Sequence, residues 1–454
     1  MLMELLDATV LNTSLPQIAK SLHSNPINLK IVITTYLLTL GIFIPVSGWL
    51  VERIGERATL FIAVSIFLLS SIGCGLSVNL IMLTVFRLCQ GMGGAFLAPV
   101  GRLVLLRVYG RNNTIQAMAR VSTFTILGLV LGPILGGAIT TYLGWRWIFF
   151  INIPLGLLGI LLIYLYLPRL SERHIKPFDF LGFILIGGAL GLVLFFLDVV
   201  VQPTFSLIEK LSVLLIATLL TLAYVWHTQK AKHSLLDFSV FKNRTFKLTT
   251  FGSLTARATL NTPPFLIPLM LQASYGYSAL QAGLFMVPSM LGALVSRLFI
   301  TKWVNTFGHQ KLLLCNTTAM MILYITFSIN AFHLSPTLLI VQQLFFGFGM
   351  GLQFTAMNSL VYKKLNEKQI NRGTSIYSAV VQLSASFGIA FAALIMITVI
   401  GADQLSHHIP LIAFKVVFFV QDLLMLISLL LFYRLKRIET LSSEFFQRPA
   451  NQKS

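Results

Sequence analysis

Charged side chains are scarce in this 454-residue chain, and their scarcity excludes a soluble globular protein. Asp, Glu, Lys and Arg make up 10% of the residues, whereas hydrophobic residues make up 56%. A soluble domain carries about 25% charged residues, because most of its surface faces water. The composition therefore predicts a polytopic membrane protein.

Cysteine and histidine are also scarce, and neither residue type indicates a functional site. The three cysteines, Cys74, Cys89 and Cys315, lie far apart inside apolar segments, which predicts neither a disulfide framework nor a metal site. All eight histidines lie in loops or at the ends of apolar segments, so any proton carrier in the membrane should be a carboxylate. The chain contains no Walker sequence, which argues against ATP as the energy source. We expect no cofactor and no enzymatic activity.

Long apolar runs dominate the chain. A transmembrane helix needs about 20 mostly apolar residues, and fourteen segments satisfy this requirement. They lie near 1–19, 29–51, 58–78, 80–107, 115–142, 148–168, 179–201, 209–228, 248–274, 278–300, 311–331, 336–361, 374–400 and 411–433. The chain is therefore predicted to be all-α, with fourteen transmembrane helices. Met1 already lies inside the first run, which indicates either a start upstream of Met1 or a shortened first span.

Basic residues exceed acidic ones and give a formal net charge of +19. With a cytoplasmic N-terminus, most Lys and Arg fall in the predicted cytoplasmic loops and tail, as the positive-inside rule requires. The exceptions in outer loops are Lys20, Lys30, Arg146, Lys210 and Lys415. This alternation predicts fourteen spans with both termini in the cytoplasm. Because the basic residues are spread over short loops, no nucleic-acid partner is expected.

An internal repeat connects the two ends of the chain. Gly91-Met92-Gly93 recurs 256 residues later as Gly347-Phe348-Gly349, and Arg53-Ile54-Gly55 resembles Thr306-Phe307-Gly308 at an offset of 253. Transporter folds are often built from such repeats, so we predict two six-helix bundles with two helices inserted between them. The predicted domains are an N-terminal bundle at 1–168, the inserted pair with linkers at 169–232, a C-terminal bundle at 233–435 and a cytoplasmic tail at 436–454.

Four glycines and a proline interrupt the predicted fifth span, in the run GLVLGPILGG from Gly128 to Gly137. Gly and Pro are poor helix formers, whereas small residues let another helix approach closely. At the repeat offset the run matches FGIAFAA, where small residues persist but Pro133 becomes Ile389. We therefore expect close packing in both bundles, and a hinge or a seal against proton leak in the first bundle alone.

Four ionisable residues inside predicted spans are candidate functional groups, because a charge in the membrane is costly. Asp7 in the first span, with Glu4 one helical turn away, is predicted to bind protons or substrate; the alternative is solvation near the end of the span. Arg87 in the fourth span either takes part in proton coupling or forms a structural ion pair. Arg257, near the middle of the ninth span, either binds an anionic substrate or pairs with a carboxylate.

Several motifs resemble those of the fourteen-helix drug:proton antiporter group (EmrB/QacA-like) of the major facilitator superfamily, over essentially the whole chain. GWLVERIGERATL (48–60) is similar to the superfamily's loop 2–3 motif, with Glu52 where Asp is usual. RLCQGMGGA (87–95) resembles the fourth-span motif, and GLVLGPILGG resembles the antiporter motif of span 5. LDATVLNTSLPQIA (6–19) and WRWIFFINIPLG (145–156) resemble the group's first-span motif and its span 5–6 signature.

The resemblance implies proton-coupled export of lipophilic drugs or related small molecules from the bacterial cytoplasmic (inner) membrane. It implies proton coupling or substrate binding for Asp7, Glu4, Arg87, Gln90 and Arg257. The implied antiporter motif consists of Gly128, Gly132, Pro133, Gly136 and Gly137. The implied cytoplasmic gating loop consists of Gly48, Glu52, Arg53, Gly55 and Arg57; its glycines should permit a tight turn, and its charges should pair with a neighbouring span.

The expected partners are a small-molecule substrate, protons and the lipid bilayer, and a periplasmic adaptor protein is left open. One alternative keeps the fold but moves a specific metabolite or an organic anion, attracted by Arg87 and Arg257. A membrane-embedded enzyme or a channel is less favoured, because no polar catalytic cluster is present and a channel does not need the two-part repeat. Substrate identity, proton number and oligomeric state do not follow from the sequence.

Overall fold

The protein is described by a computed structural model that covers residues 2–24, 28–109, 132–167, 177–200, 205–231, 235–236, 238–330, 335–362, 365, 367–401 and 409–446. Within these ranges, all regular secondary structure is helical, which confirms the predicted all-α class. Apolar side chains cover both the helix–helix contacts and the outer surface, because the solvent for this fold is hydrocarbon.

The described residues form a series of α-helices along the chain. In chain order they are α1 (Leu2–Val10), α2 (Leu15–Ser21), α3 (Lys30–Phe43), α4 (Val46–Ile54), α5 (Glu56–Gly75), α6 (Leu80–Tyr109), α7 (132–142), α8 (Trp147–Phe150), α9 (Asn152–Tyr166), α10 (Phe180–Val199), α11 (Leu207–Lys230), α12 (Arg244–Leu260), α13 (Pro263–Ala273), α14 (Ala279–Leu284), α15 (Val287–Asn330), α16 (Pro336–Tyr362), α17 (Glu367–Ile400) and α18 (Leu411–Phe446). Short 3₁₀ turns lie at Leu11–Thr13 and Phe238–Lys242.

Nine helical segments among the described residues are long and apolar enough to cross a membrane, or ten if α3 and α4, which meet at a bend of 56°, form one broken span. Fewer segments qualify than the fourteen predicted, and local geometry explains part of the difference. The first predicted span is divided by the 3₁₀ turn between α1 and α2. The ninth is divided between α12 and α13, where Pro263 and Pro264 begin a new helix. Most of the fifth lies outside the described residues.

One qualifying segment, Ala279–Asn330, is 52 residues long. A straight helix of that length would measure about 78 Å, far more than the roughly 30 Å of a hydrocarbon core. The backbone is not helical at Gly308, where φ is 78° and ψ is 156°. The segment therefore turns at Gly308 and contains two helices, at the place where the sequence predicts the boundary between spans at 278–300 and 311–331.

The same uncommon backbone conformation occurs at Gly55, where φ is 83° and ψ is 163°. A positive φ is readily adopted only by glycine, and the two residues are separated by the predicted offset of 253. The helix contacts repeat as well. An added Cβ at Gly91 of α6 would meet the Tyr36 carbonyl oxygen of α3, and one at Gly347 of α16 would meet the Ser289 carbonyl oxygen of α15. The structure thus supports the repeat, while the exact domain boundaries stay predictions.

Helices α10 and α11 lie at the side of the molecule. They pack mainly against each other, and α10 also contacts α3 and α17. Large apolar side chains on both helices are exposed, among them Leu181, Ile184, Leu219 and Leu222. This position, on the outside of the other helices, is the one expected for a helix pair inserted between two repeats.

The helices α1–α9, here called the first set, contact the helices α12–α18, the second set, at several places, and two of these contacts lie beside the central cavity. At the first, α3 packs against α17, and the Ser386 hydroxyl donates to the Thr34 carbonyl oxygen at 3.0 Å. At the second, α7 packs against α14, and the Leu280 amide donates to the Thr141 hydroxyl at 3.3 Å. Both contacts border a central space between the sets.

Candidate functional site

A cavity of about 330 Å³ lies between the two sets. Its wall is mostly apolar, with a few polar and cationic side chains, as is typical of a small-molecule site. The lining residues are Thr9, Asn12, Thr13, Ile33, Tyr36, Leu37, Arg87, Pro133, Arg257, Asn261, Pro264, Pro268, Met286, Ser289, Met290, Ala293, Leu294, Arg297, Phe346, Met350, Phe354, Val381, Gln382, Ala385 and Ile389.

Asp7 and Arg87 form a buried ion pair beside this cavity, although 80 positions separate them in the chain. Their side chains are no more than 2% exposed. Isolated charges are too costly to bury, so each guanidinium or carboxylate in such a position needs a partner. The pairing shows that Asp7 is not a solvated residue at the end of its span, and it brings two predicted site residues into direct contact.

Gln90 holds the pair together. Arg87 donates to the Gln90 Oε1 at 2.7 Å, and the Gln90 Nε2 donates to the Asp7 Oδ1 at 3.0 Å. Because Arg87 and Gln90 lie three residues apart on α6, one face of that helix presents both to Asp7. Three of the five residues predicted for proton coupling or substrate binding therefore form one hydrogen-bonded cluster, the Asp7–Arg87–Gln90 cluster.

Two residues that sequence reasoning missed complete the cluster. Asn152 at the start of α9 donates to the Asp7 Oδ1 at 3.1 Å and to the Ser71 hydroxyl at 3.3 Å, and Ser71 also accepts from Gln90 at 2.7 Å. Asn152 lies within the motif WRWIFFINIPLG, so its position was marked although its role was not. Ser71 carries no recognisable signal, because a serine in an apolar helix commonly bonds only its own backbone.

Arg87 connects the cluster with the cavity. Its side chain lines the cavity, whereas Asp7 is not among the lining residues. The guanidinium carbon lies 4.2 Å from the centre of the Tyr36 ring, and the Nε donates to the Val32 carbonyl oxygen at 3.3 Å. Aromatic faces and carbonyl oxygens both attract a cation. Arg87 therefore separates Asp7 from the central space.

Glu4 lies one turn before Asp7 on α1 and is 8% exposed, so it is buried rather than solvated. The hydrogen bonds to Asp7 described above do not include it. Asp422 is a buried acid on α18 of the second set. It is 7% exposed and does not line the cavity. Asp7 is the acid that bonds Arg87, and Arg87 lines the cavity.

Arg257 lines the opposite side of the cavity, from α12. Its Nε donates to the Ser253 hydroxyl at 3.1 Å, its Nη2 donates to the Asn358 Oδ1 at 2.8 Å, and its guanidinium lies 4.2 Å from the centre of the Phe354 ring. Among the described residues it forms no ion pair with a carboxylate. The structure therefore does not bring Arg257 into the Asp7–Arg87–Gln90 cluster.

Arg297 on α15 is a third cation at the cavity, and it was not singled out from the sequence. Within the part of the chain that the structure describes, it makes no hydrogen bond and no ion pair, and its side chain is exposed. A basic residue inside an apolar run was the available signal. What the sequence could not show is that Arg297 and Arg257 border the same space.

The antiporter motif lies at the junction between the sets. An added Cβ at Gly136 would meet the Val10 carbonyl oxygen at 2.5 Å, and one at Gly137 would meet the Ala279 carbonyl oxygen of α14 at 2.7 Å. Gly132 lies against Thr9, and Pro133 lines the cavity. The predicted close packing is confirmed at the three described glycines. Gly128 lies outside the described residues.

The predicted gating loop corresponds to the junction of α4 and α5. Gly55 makes the turn with its positive φ, whereas Gly48 lies inside α4, so the expectation of a turn at Gly48 is wrong. Arg57 donates to the Tyr164 carbonyl oxygen of α9 at 2.7 Å. The guanidinium of Arg53 lies 5.0 Å from the centre of the Trp49 ring, and Glu52 is half-buried. Arg57 thus contacts a neighbouring span, as predicted.

Among the described residues, no group of three or more His, Cys, Asp or Glu side chains could hold a metal ion. The cysteines Cys74, Cys89 and Cys315 are free thiols. The chemistry that this site offers is therefore ionic and hydrogen-bonding: one buried carboxylate, three guanidinium groups and an apolar wall.

Comparison with curated proteins finds relatives of similar length. The chain is 35% identical over 404 residues to a Cronobacter sakazakii protein that carries the name multidrug resistance protein MdtD, covering 89% of this chain and 85% of the relative. It is 34% identical over 402 residues to a Klebsiella pneumoniae protein of the same name, covering 87% and 83%.

Solved structures of other transporters share the fold. A POT family peptide transporter in an auto-inhibited state superimposes with a TM-score of 0.68 at 14% identity, covering 100% of this chain and 97% of that chain. A D-xylose–proton symporter gives a TM-score of 0.65 at 15% identity, covering 93% and 95%. At such low identity the likeness concerns the fold alone.

The family model described as Major Facilitator Superfamily matches residues 1–389 and, in a second match, residues 248–450. Together the two matches extend over nearly the whole chain. With the helical fold, the central cavity and the relatives at one-third identity, they establish the family and confirm the resemblance seen in the motifs. The chain belongs to the major facilitator superfamily.

Proposed function

We propose that this chain is a proton-coupled secondary transporter that exports lipophilic drugs or related small molecules by alternating access. Its family and its relatives named for multidrug resistance support a transporter rather than an enzyme. The proposed location is the bacterial cytoplasmic (inner) membrane, with fourteen spans arranged as 6+2+6 and both termini in the cytoplasm. A periplasmic adaptor protein stays an open partner.

The observation that carries the proposal is that Arg87 belongs to both the buried cluster and the cavity wall. Protonation of Asp7 would neutralise the carboxylate and leave the guanidinium without its ionic partner. Leaving one partner of a buried ion pair unpaired costs about 3–5 kcal/mol, which favours a rearrangement of Arg87 and its neighbours. Proton binding and cavity shape are thereby coupled through Arg87, while Gln90, Asn152 and Ser71 position the pair.

Alternating access requires two bodies that move against each other around a central site. The proposed bodies are the bundles at 1–168 and 233–435, with the inserted pair at 169–232 on the side. They meet through the α3–α17 and α7–α14 contacts, where small residues allow backbones to approach closely. We assign the antiporter motif to the α7–α14 contact and the loop with Glu52, Arg53 and Arg57 to a latch at the helix junction.

The proton gradient is a sufficient energy source. Each proton that crosses the membrane potential supplies about 2.3 kcal/mol per 100 mV. One proton exchanged for one neutral substrate therefore supports a concentration ratio of roughly fiftyfold. Exchange of this kind needs no bound nucleotide.

The test is transport in proteoliposomes that contain the purified protein and a pH-sensitive dye. With an imposed pH gradient, addition of a transported dye, drug or organic acid should dissipate the gradient faster than in protein-free liposomes. A protonophore should abolish substrate accumulation. Accumulation that persists without any proton gradient would contradict proton coupling.

A further inference from the structure

The cavity wall carries an unbalanced charge. Among the described residues, its lining includes three guanidinium groups, those of Arg87, Arg257 and Arg297, and no Asp or Glu. The segment 110–131, which precedes α7 and is outside the described residues, contains no Asp or Glu either. An arginine stays protonated at any physiological pH, so these charges cannot be removed by titration.

The three guanidinium groups differ in how many counter-charges and hydrogen-bond partners they have. Arg87 is neutralised by Asp7 and also bonds Gln90 and the Val32 carbonyl oxygen. Among the described residues, Arg257 donates to two neutral partners, Ser253 and Asn358, and a guanidinium offers five N–H donors. Arg297 makes no hydrogen bond or ion pair among the described residues. Two positive charges at the cavity therefore have no described counter-charge.

The rest of the wall is apolar and adaptable. Pro264, Pro268, Met290, Phe354 and Ile389 line the space together with its cations. Methionine side chains rearrange easily and accept substrates of different shape. A substrate that satisfies this wall needs an apolar body, and one that satisfies the cations needs a negative group. A cationic body would meet like charge at this wall, which is costly.

We infer that the cavity binds amphipathic organic anions, and that Arg297, together with Arg257, recognises the anionic group. This inference rests on the proposed function, because it names the substrate class of the same cavity. Planar guanidinium groups bind carboxylate or sulfonate oxygens with paired hydrogen bonds. Arg87 is left to its pairing with Asp7, so that substrate recognition and proton binding are carried by different arginines around one cavity.

The experiment compares two probes of equal shape and opposite permanent charge, 1-naphthalenesulfonate and 1-naphthyltrimethylammonium. Their binding to the full chain in lipid nanodiscs is measured by equilibrium dialysis without a proton gradient. The variants are Arg297→Ala, Arg297→Lys and, as a matched control, Lys302→Ala, because Lys302 is an exposed cation on the same helix that does not line the cavity.

We expect the sulfonate to bind more tightly than the ammonium probe. Arg297→Ala should weaken sulfonate binding about tenfold, equivalent to about 1.4 kcal/mol, without weakening the ammonium probe. Arg297→Lys should retain part of the affinity, and Lys302→Ala should change neither probe. The inference is overturned if the ammonium probe binds as tightly as the sulfonate, if neither binds, or if Arg297→Ala weakens both probes equally. The comparison of probes on the unaltered chain holds even if Arg297→Ala does not fold.

Gradient-driven uptake of the same probes separates the inference from the proposed function. Sulfonate binding that depends on Arg297, without proton-driven uptake of either probe, would support the inference and contradict the proposed function. Proton-driven uptake of the ammonium probe with no uptake of the sulfonate would support the proposed function and contradict the inference.

Discussion

At the scale of single residues, the proposed proton coupling depends on the position of Asp7. It is buried, it is paired with a guanidinium that also lines the cavity, and its Oδ1 accepts hydrogen bonds from Gln90 and Asn152. Glu4 and Asp422 are buried too, but neither belongs to the cluster.

Replacing Asp7 with Asn should abolish proton-driven transport, because the amide cannot bind and release a proton. Transport is measured as substrate-dependent dissipation of the pH gradient in proteoliposomes, and folding is checked by size-exclusion chromatography in detergent. The matched control is Asp422→Asn, which removes another buried carboxylate away from the cavity and should retain most of the activity. An active Asp7→Asn protein that still responds to a protonophore would move the proton site elsewhere, Glu4 being the next candidate.

At the scale of helices, the described part of the antiporter motif meets the second set at the α7–α14 contact. Gly137 faces the Ala279 carbonyl oxygen, and Gly283 of α14 faces the Pro133 carbonyl oxygen in return. Neither position has space for a side chain unless a backbone moves. The contact therefore limits how α7 and α14 can be arranged.

Gly137→Ala should impair transport even though alanine is the better helix former, because its Cβ would lie 2.7 Å from a backbone oxygen. The control is Gly191→Ala in α10, where nothing lies within 4 Å of the added Cβ. There the same substitution should leave transport unchanged and stabilise the helix by up to about 1 kcal/mol. Thermal unfolding in detergent and uptake assays measure the two effects. If the two variants transport substrate equally well, the close contact is not needed for transport.

Pro133 offers a second test at this scale, because its counterpart at the repeat offset, Ile389, lines the same cavity. Proline lacks the N–H that continues a helical hydrogen-bond ladder. Pro133→Ala should therefore leave expression normal but lower coupled transport or allow proton leak, which a pH dye detects without substrate. Ile389→Ala serves as the control for altered cavity volume. Full coupled activity in a Pro133→Ala, Gly136→Ala double variant would reduce the motif to a packing contact.

At the scale of the whole molecule, many large apolar side chains are exposed on α10, α11, α15, α16 and α18, as a bilayer requires. The exposed apolar surface identifies the membrane but not the orientation. Orientation follows instead from the positive-inside distribution, which predicts outer loops with few basic residues and a cytoplasmic C-terminal tail.

Cysteine labelling tests this topology. In a background where Cys74, Cys89 and Cys315 are replaced by serine, Ser21→Cys should react with a membrane-impermeant maleimide in intact cells, because α2 leads into the predicted first outer loop. Ser442→Cys, in the predicted cytoplasmic tail, should react only after the cells are permeabilised. Labelling of both sites in intact cells would be incompatible with an even number of spans.

The sequence by itself determined the class of the protein, the apolar segments and the internal repeat, because these depend on composition and on spacing along one chain. The similar backbone angles of Gly55 and Gly308 agree with the offset of 253 residues between the repeats. Only the tertiary structure decided which charges meet: Asp7 could have paired with any buried cation, and 80 positions separate it from Arg87. In the same way, Arg257 and Arg297 border one cavity because α12 and α15 are brought together by packing. Pairing energies depend on distance and burial in three dimensions, and neither can be read from the order of residues.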